Sequence, residues 1–170
     1  MSIFPTKILL ATDGSDNATH AMEVAVELSK ETGSELHVIY VGQDAYSTTL
    51  IYPEATGSGV VEREDPILIE QLQRQFEQMS RRVLDTEVGK VRAAGGMVSK
   101  AHLRIGQAAT EIVDLAEELR MGLVVVGSRG LGGIRRALIG SVSDVVVRHA
   151  HCPVLVVRKE QGPNKDMLLS

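Results

Sequence analysis

The sequence predicts an α/β fold: a single doubly wound five-stranded parallel sheet, order 3-2-1-4-5, with helices on both faces. Three observations predict it. Short runs of branched aliphatic residues alternate five times with amphipathic stretches, the pattern of strand–helix–strand units. The runs are unbroken, as in Leu123–Val126, which suits strands buried on both faces. Right-handed crossovers then leave double winding as the simplest topology.

The elements follow in order. Lys7-Ile8-Leu9-Leu10-Ala11-Thr12 is the first strand, ended by Asp13-Gly14-Ser15. Ser15 or Asp16 can cap the next helix, in which Ala18, Ala21, Met22, Ala25 and Leu28 share a face, and Gly33 stops it. Glu35–Val41 is the second strand. Residues 42–65 show no period and contain Gly57-Ser58-Gly59, which predicts a mobile flap or disorder. Pro66 suits the first turn of a long helix reaching Ala94, with Leu68, Leu72, Phe76, Met79, Val83 and Val91 on its core face. Its length, roughly 40 Å at 1.5 Å per residue, predicts a bend or a projection. The run Arg74–Arg82 is its solvated face. Met97–Leu103 is the third strand. A helix with Ala109, Ile112, Val113, Ala116 and Leu119 on one side follows Gly106-Gln107, and Leu123–Val126 is the fourth strand. A glycine-rich loop from Gly127 to Gly140 leads to a short helix, Ser141 to His149, and to the last strand, Pro153–Val157. Residues 1–158 thus make one domain, and 159–170 a loose tail.

Composition narrows the function. The 170 residues are 44% hydrophobic and 24% charged, as expected of one globular domain. Net charge is −4, without the basic excess of a nucleic-acid binder. With no Trp, 2 Phe and 3 Tyr, stacking platforms for single strands are excluded. The single Cys152 forbids an internal disulfide and fits a reducing cytosol. No basic stretch precedes an apolar run at the start, and no run approaches the roughly 20 residues needed to span a bilayer. The expectation is a cytoplasmic protein, with neither membrane nor nucleic acid as partner.

Ligands of such sheets bind outside the carboxyl ends of the strands where the winding reverses, here between strands 1 and 4. Two segments meet there. Ala11, Thr12 and Asp13 bring a carboxylate; Gly127, Ser128, Arg129 and Gly130 bring bare backbone and a cation. Nine residues separate Gly130 from Gly140-Ser141-Val142-Ser143, the start of a helix whose amides and dipole attract anions. Glycines admit close approach and positive φ, so that backbone amides can converge on phosphate. Arg129, Arg135 and Arg136 add positive charge to an acidic chain. The arrangement reads as a nucleotide crevice.

At these residues the sequence resembles the universal stress proteins, ATP-binding branch. Gly127-x-x-Gly130, nine residues, then Gly140-Ser141 looks like that branch's phosphate motif. Ile8–Ser15, Gly106-Gln107-Ala108-Ala109 and Cys152–Val157 match in order, so that the likeness covers about residues 4–158. Two positions depart from the family pattern: Gln107-Ala108 stands where a proline is frequent, and Gly122 where an aspartate commonly precedes strand 4. The resemblance implies a fold like the adenine nucleotide alpha hydrolases, which is Rossmann-like. It also implies ATP or another adenine nucleotide with Mg²⁺ or Mn²⁺. Asp13 would sit by the ribose or the metal, and the Val41 backbone by the adenine. Gly127, Arg129, Gly130, Gly140, Ser141, Val142 and Ser143 would line ribose and phosphates. The function implied is a nucleotide-dependent regulatory or sensor module in the stress response.

Rival chemistries fit less well. No Gly-Lys-Ser/Thr makes a P-loop, and the turn after strand 1 has one glycine, too few for a dinucleotide fingerprint. Thr12 stands where a receiver domain would pair its acids, and Gly127-Ser128-Arg129-Gly130 is no nucleophile elbow. His149, His151 and Cys152 lack a fourth ligand, while His20, His37 and His102 have no evident partners. The alternatives kept are a slow ATPase or phosphotransferase, and a structural dimer without nucleotide. A homodimer is expected through strand 5: in order 3-2-1-4-5 the apolar Val154, Leu155, Val156 and Val157 form an edge, which pairing about a two-fold axis would close. The resemblance implies the same dimer.

Overall fold

The computed structural model describes residues 6–43, 66–128 and 140–158. Five strands, β1 (Lys7–Thr12), β2 (Glu35–Gly42), β3 (Val98–Ile105), β4 (Leu123–Gly127) and β5 (Val154–Val157), form one sheet in the order β3-β2-β1-β4-β5. All four pairings are parallel. The helices are α1 (Asp16–Thr32), α2 (Pro66–Ala93), α3 (Ala108–Glu118) and α4 (Ser141–His149). The expected architecture and strand order are found. The expected flap falls mostly, and the tail wholly, outside the described residues.

The central strand shows why its run is unbroken. Ile8 and Leu10 face α1 and α2, packing with Met22, Ala25, Leu84, Val88 and Val91. Leu9 and Ala11 face α3 and α4, packing with Ile112, Leu115, Ala116 and Val146. Alternate side chains thus enter two separate cores, and both must be apolar. Ser15 caps α1, its hydroxyl accepting from the Ala18 amide at 3.2 Å. The helix ends at Gly33, which takes φ +67° and donates its N–H to the Ser29 carbonyl, a left-handed cap that favours glycine.

α2 corrects one expectation. Its buried residues are Ser80, Leu84, Glu87, Val88 and Val91, whereas Leu68 is exposed and Met79 is 61% exposed. Only the second half of the helix is well covered. The first half is largely solvated and carries the ion pairs Glu70–Arg74 and Glu77–Arg81. The expected projection is therefore present, with the core face rotated from Val83 to Leu84.

Candidate functional site

The carboxyl ends of β1 and β4 lie side by side, Leu10 pairing with Val125 at the end of their shared register. The turn after β1 is built from its own polar groups. The Ser15 amide donates to Asp13 Oδ1 at 2.9 Å, and the Gly14 amide donates to Thr12 Oγ1 at 3.2 Å. Thr12 Oγ1 in turn donates to Glu87 Oε2 of α2 at 2.8 Å. Glu87 is 4% exposed and pairs with Lys90 at 2.6 Å. Tyr40, opposite Thr12 on β2, has its phenol pKa raised by burial and by the charge of Asp13, which keeps it a proton donor.

On the other side, Gly127 ends β4. A Cβ there would lie 2.9 Å from both the carbonyl carbon and the oxygen of Asn17. The glycine is thus required because the first turn of α1 presses on the end of β4. The Ser128 amide bonds the Val157 carbonyl at 2.8 Å, and the Gly140 amide bonds the Ser128 carbonyl at 2.6 Å. Ser143 Oγ donates to the Gly127 carbonyl at 2.6 Å. These bonds fold the loop's two ends together, so that α4 begins where β4 stops. Gly140 is the N-cap of α4 at φ −70°, ψ 157°, with no side-chain cap. These angles suit any residue, so positive φ does not explain this glycine. Its effect is to leave the helix start without a cap of its own.

The expected site residues therefore divide. Thr12, Asp13, Gly127, Ser128, Gly140, Ser141, Val142 and Ser143 come to the same end of the sheet. The Ala11 side chain is buried in the core, leaving its backbone for any contact. Val41 lies on β2 one residue beyond the last partner of β1, beside Arg104 of β3. Arg129 and Gly130 lie outside the described residues, as do Arg135 and Arg136.

The chemistry fits an anion held with a divalent cation. The first-turn amides of α4 have no acceptor within their own helix, and Asp13 supplies a carboxylate nearby. Mg²⁺ commonly takes one or two carboxylates and completes its shell with phosphate oxygens and water. Among the described residues no three His, Cys, Asp or Glu side chains group to hold a metal by themselves.

Two features escaped the sequence reading. Glu87 is a charge inside the apolar stripe Leu84, Val88 and Val91, and that signal was readable once the helix face was set on Leu84. His37 and His102 do have partners: their rings stack with centroids 5.3 Å apart and nitrogens 3.0 Å apart. Glu35 adds a 3.4 Å contact to His37, and His20 meets Glu23.

The fold is that of a doubly wound α/β protein, with the uncapped start of α4 at its switch point. The profile of the universal stress protein family matches residues 5–158. The universal stress protein YxiE of Bacillus subtilis is 34% identical over 152 residues, covering 89% of this chain and 98% of its own. A universal stress protein of Methanocaldococcus jannaschii is 35% identical over 160 residues, covering 94% of this chain and 84% of its own. The chain belongs to the universal stress protein family. Among solved structures, the universal stress protein UspA of Lactobacillus plantarum superposes with a TM-score of 0.71 at 25% identity, covering 92% of this chain and 100% of its own. A universal stress protein solved with cAMP (TM-score 0.63) and one of Archaeoglobus fulgidus solved with dAMP (TM-score 0.55) share the fold, each at 22% identity. They cover 92% and 89% of this chain, and 99% and 97% of their own. Among the described residues no helix is long and apolar enough to cross a membrane.

Proposed function

We infer that this chain is of the ATP-binding branch, holding ATP with Mg²⁺ or Mn²⁺ between the ends of β1 and β4 as a regulatory or sensor module in the stress response. The observation that carries this reading is the uncapped start of α4 at the same end of the sheet as Asp13, where the winding reverses. The adenine nucleotides bound by two proteins of the same fold support it. In this reading Asp13 meets the metal or ribose and the Val41 backbone meets the adenine. Gly127, Ser128, Arg129, Gly130, Gly140, Ser141, Val142 and Ser143 surround the ribose and phosphates, with Ala11 and Thr12 closing the β1 side. Turnover would need a positioned base. Of the acids described at this end, Glu87 is already engaged by Thr12 and Lys90, which favours binding over hydrolysis. The place of action is the cytoplasm. Native mass spectrometry of purified protein tests the ligand: a copurified adenine nucleotide, or calorimetric binding of ATP that weakens on removing the metal, is expected. Protein that stays empty and gives no heat with ATP contradicts it.

The same reading includes a homodimer through β5. Val124 donates to the Pro153 carbonyl, and Ser128 to the Val157 carbonyl. Peptide groups of successive residues point to opposite sides of a strand, so Val154 and Val156 turn their N–H groups outward from the sheet. The side chains of Leu155 and Val157 pack on one core, those of Val154 and Val156 on the other. Leu155→Lys would thus disturb the core, while Val156→Pro removes one outward donor and leaves the β4 pairing intact. Sedimentation should show a wild-type dimer and a shift to monomer in Val156→Pro; a monomeric wild type would contradict the pairing.

A further inference from the structure

We propose that Glu87 is a positioning residue for the acidic turn after β1, acting through the Thr12 hydroxyl on the Gly14 amide. The inference deepens the nucleotide-binding reading and rests on it for its functional consequence. Glu87 reaches the turn from α2, 75 positions further along the chain, and is buried there. Its two oxygens have separate tasks: Oε2 accepts the Thr12 hydroxyl at 2.8 Å and Oε1 accepts Lys90 Nζ at 2.6 Å. A Cβ on Gly14 would lie 3.8 Å from Oε1, which places the carboxylate against the turn.

The direction of each bond matters. A carboxylate only accepts, so the single Thr12 proton is committed to Glu87. The lone pairs of Thr12 Oγ1 are thereby turned to the Gly14 amide, which donates at 3.2 Å. The next amide, Ser15, donates to Asp13 Oδ1, and the Ser15 hydroxyl accepts from Ala18. The bonds run from Lys90 through Glu87 and Thr12 to the Gly14 amide, and the backbone continues from there to Ser15, whose amide holds Asp13 Oδ1. Lys90 balances the charge of Glu87, so the pair adds no net charge beneath Asp13.

A simpler role would be to fasten α2 to the sheet. Burying a carboxylate is a costly way to do so, because the ion gives up its hydration. An apolar residue among Leu84, Val88 and Val91 would serve as well. What an apolar residue cannot do is set the sense of the Thr12 hydroxyl. Glutamine does it less well: one oxygen must serve where two did, and whichever of Thr12 and Lys90 faces its NH₂ loses its acceptor.

The experiment compares wild type with Thr12→Val, Thr12→Ser, Glu87→Gln and the double variant Thr12→Val/Glu87→Gln. Two readouts are taken: hydrogen exchange of the Gly14 amide without ligand, and calorimetric affinity for ATP with Mg²⁺. Thr12→Val and Glu87→Gln should each speed Gly14 exchange by about tenfold and weaken ATP by about fivefold. The double variant should be no weaker than either single one, and Thr12→Ser should recover most of the loss. Should Glu87→Gln fail to fold, the near-isosteric Thr12→Val decides alone. Variants that lower the urea midpoint but keep wild-type Gly14 exchange and ATP affinity would overturn the proposal and leave Glu87 a fastening. A wild type that binds no ATP would instead remove the nucleotide reading, while Gly14 exchange still decides whether the set of bonds exists.

Discussion

Two helices begin at the crevice, and they begin differently. α1 closes its own start: Ser15 accepts the Ala18 amide, while each helix carries one carboxylate in its first turn, Asp16 and Asp144. α4 starts at Gly140, which has no side chain to offer its amides. Both helices leave the same end of neighbouring strands, so the fold does not impose the difference. A helix start capped by glycine forgoes about a few tenths of a kcal/mol relative to a good cap and is the kind of place where a phosphate serves instead. In the proposed reading the β1 side is completed by the protein and the β4 side by a ligand.

The contact between the first turn of α1 and the end of β4 gives the largest expected effect. Gly127→Val drives a Cβ into the Asn17 backbone, which cannot move without shifting α1. A loss of about 2–3 kcal/mol in urea unfolding is expected; an unchanged midpoint would mean that α1 does not press on the end of β4. Next in size is Gly140→Asp, which makes α4 resemble α1. Stability should rise by a few tenths of a kcal/mol, as a capping side chain replaces glycine. ATP affinity should fall about tenfold, some 1.4 kcal/mol, because the new carboxylate takes the place of phosphate. Unchanged affinity would break the comparison.

How much of this difference could be read in advance depends on distance along the chain. β1 and α4 were legible because their signals are local: six consecutive residues for β1, and Gly140-Ser141 before an apolar face for α4. The candidate phosphate residues shared that advantage, since the Gly127 to Ser143 spacing lies within one connection. The link from Thr12 to Glu87 was not legible, because no local pattern joins residues 75 positions apart. The same holds for His37 and His102, which meet only because β2 pairs with β3. The face of α2 was misjudged at Leu68 and Met79 for a related reason. Helical period tells which residues share a face, and only the packed sheet tells how many turns are covered. At Gly127 the sequence suggested close approach to phosphate, whereas the structure gives the glycine a packing reason in the approach of Asn17.

Two smaller effects sharpen the contrast. Ser15→Ala should cost about 1 kcal/mol by removing the cap of α1. It should leave the ATP affinity of the folded protein unchanged, since that start has no ligand role; a parallel loss of affinity would blur the distinction between the helices. Far from the crevice, the His102 pKa is lowered from 6.5 to about 4, first by burial and then by His37, Lys100 and Arg104, against the pull of Glu118. The unfolded chain therefore binds more protons than the folded one between these values, so stability is full above pH 6.5 and falls as pH drops toward 4. Urea midpoints should follow that slope, and His102→Gln should flatten it. A flat wild-type profile would contradict the assignment.

The amide resonances of the two helix starts, followed as ATP with Mg²⁺ is added to ¹⁵N-labelled protein, test the central claim most directly. The amides of Ser141, Val142 and Ser143 should shift downfield on saturation as they gain a phosphate acceptor, while the capped amide of Ala18 moves far less. ATP that binds without moving the α4 amides, or that fails to bind at all, would contradict the account.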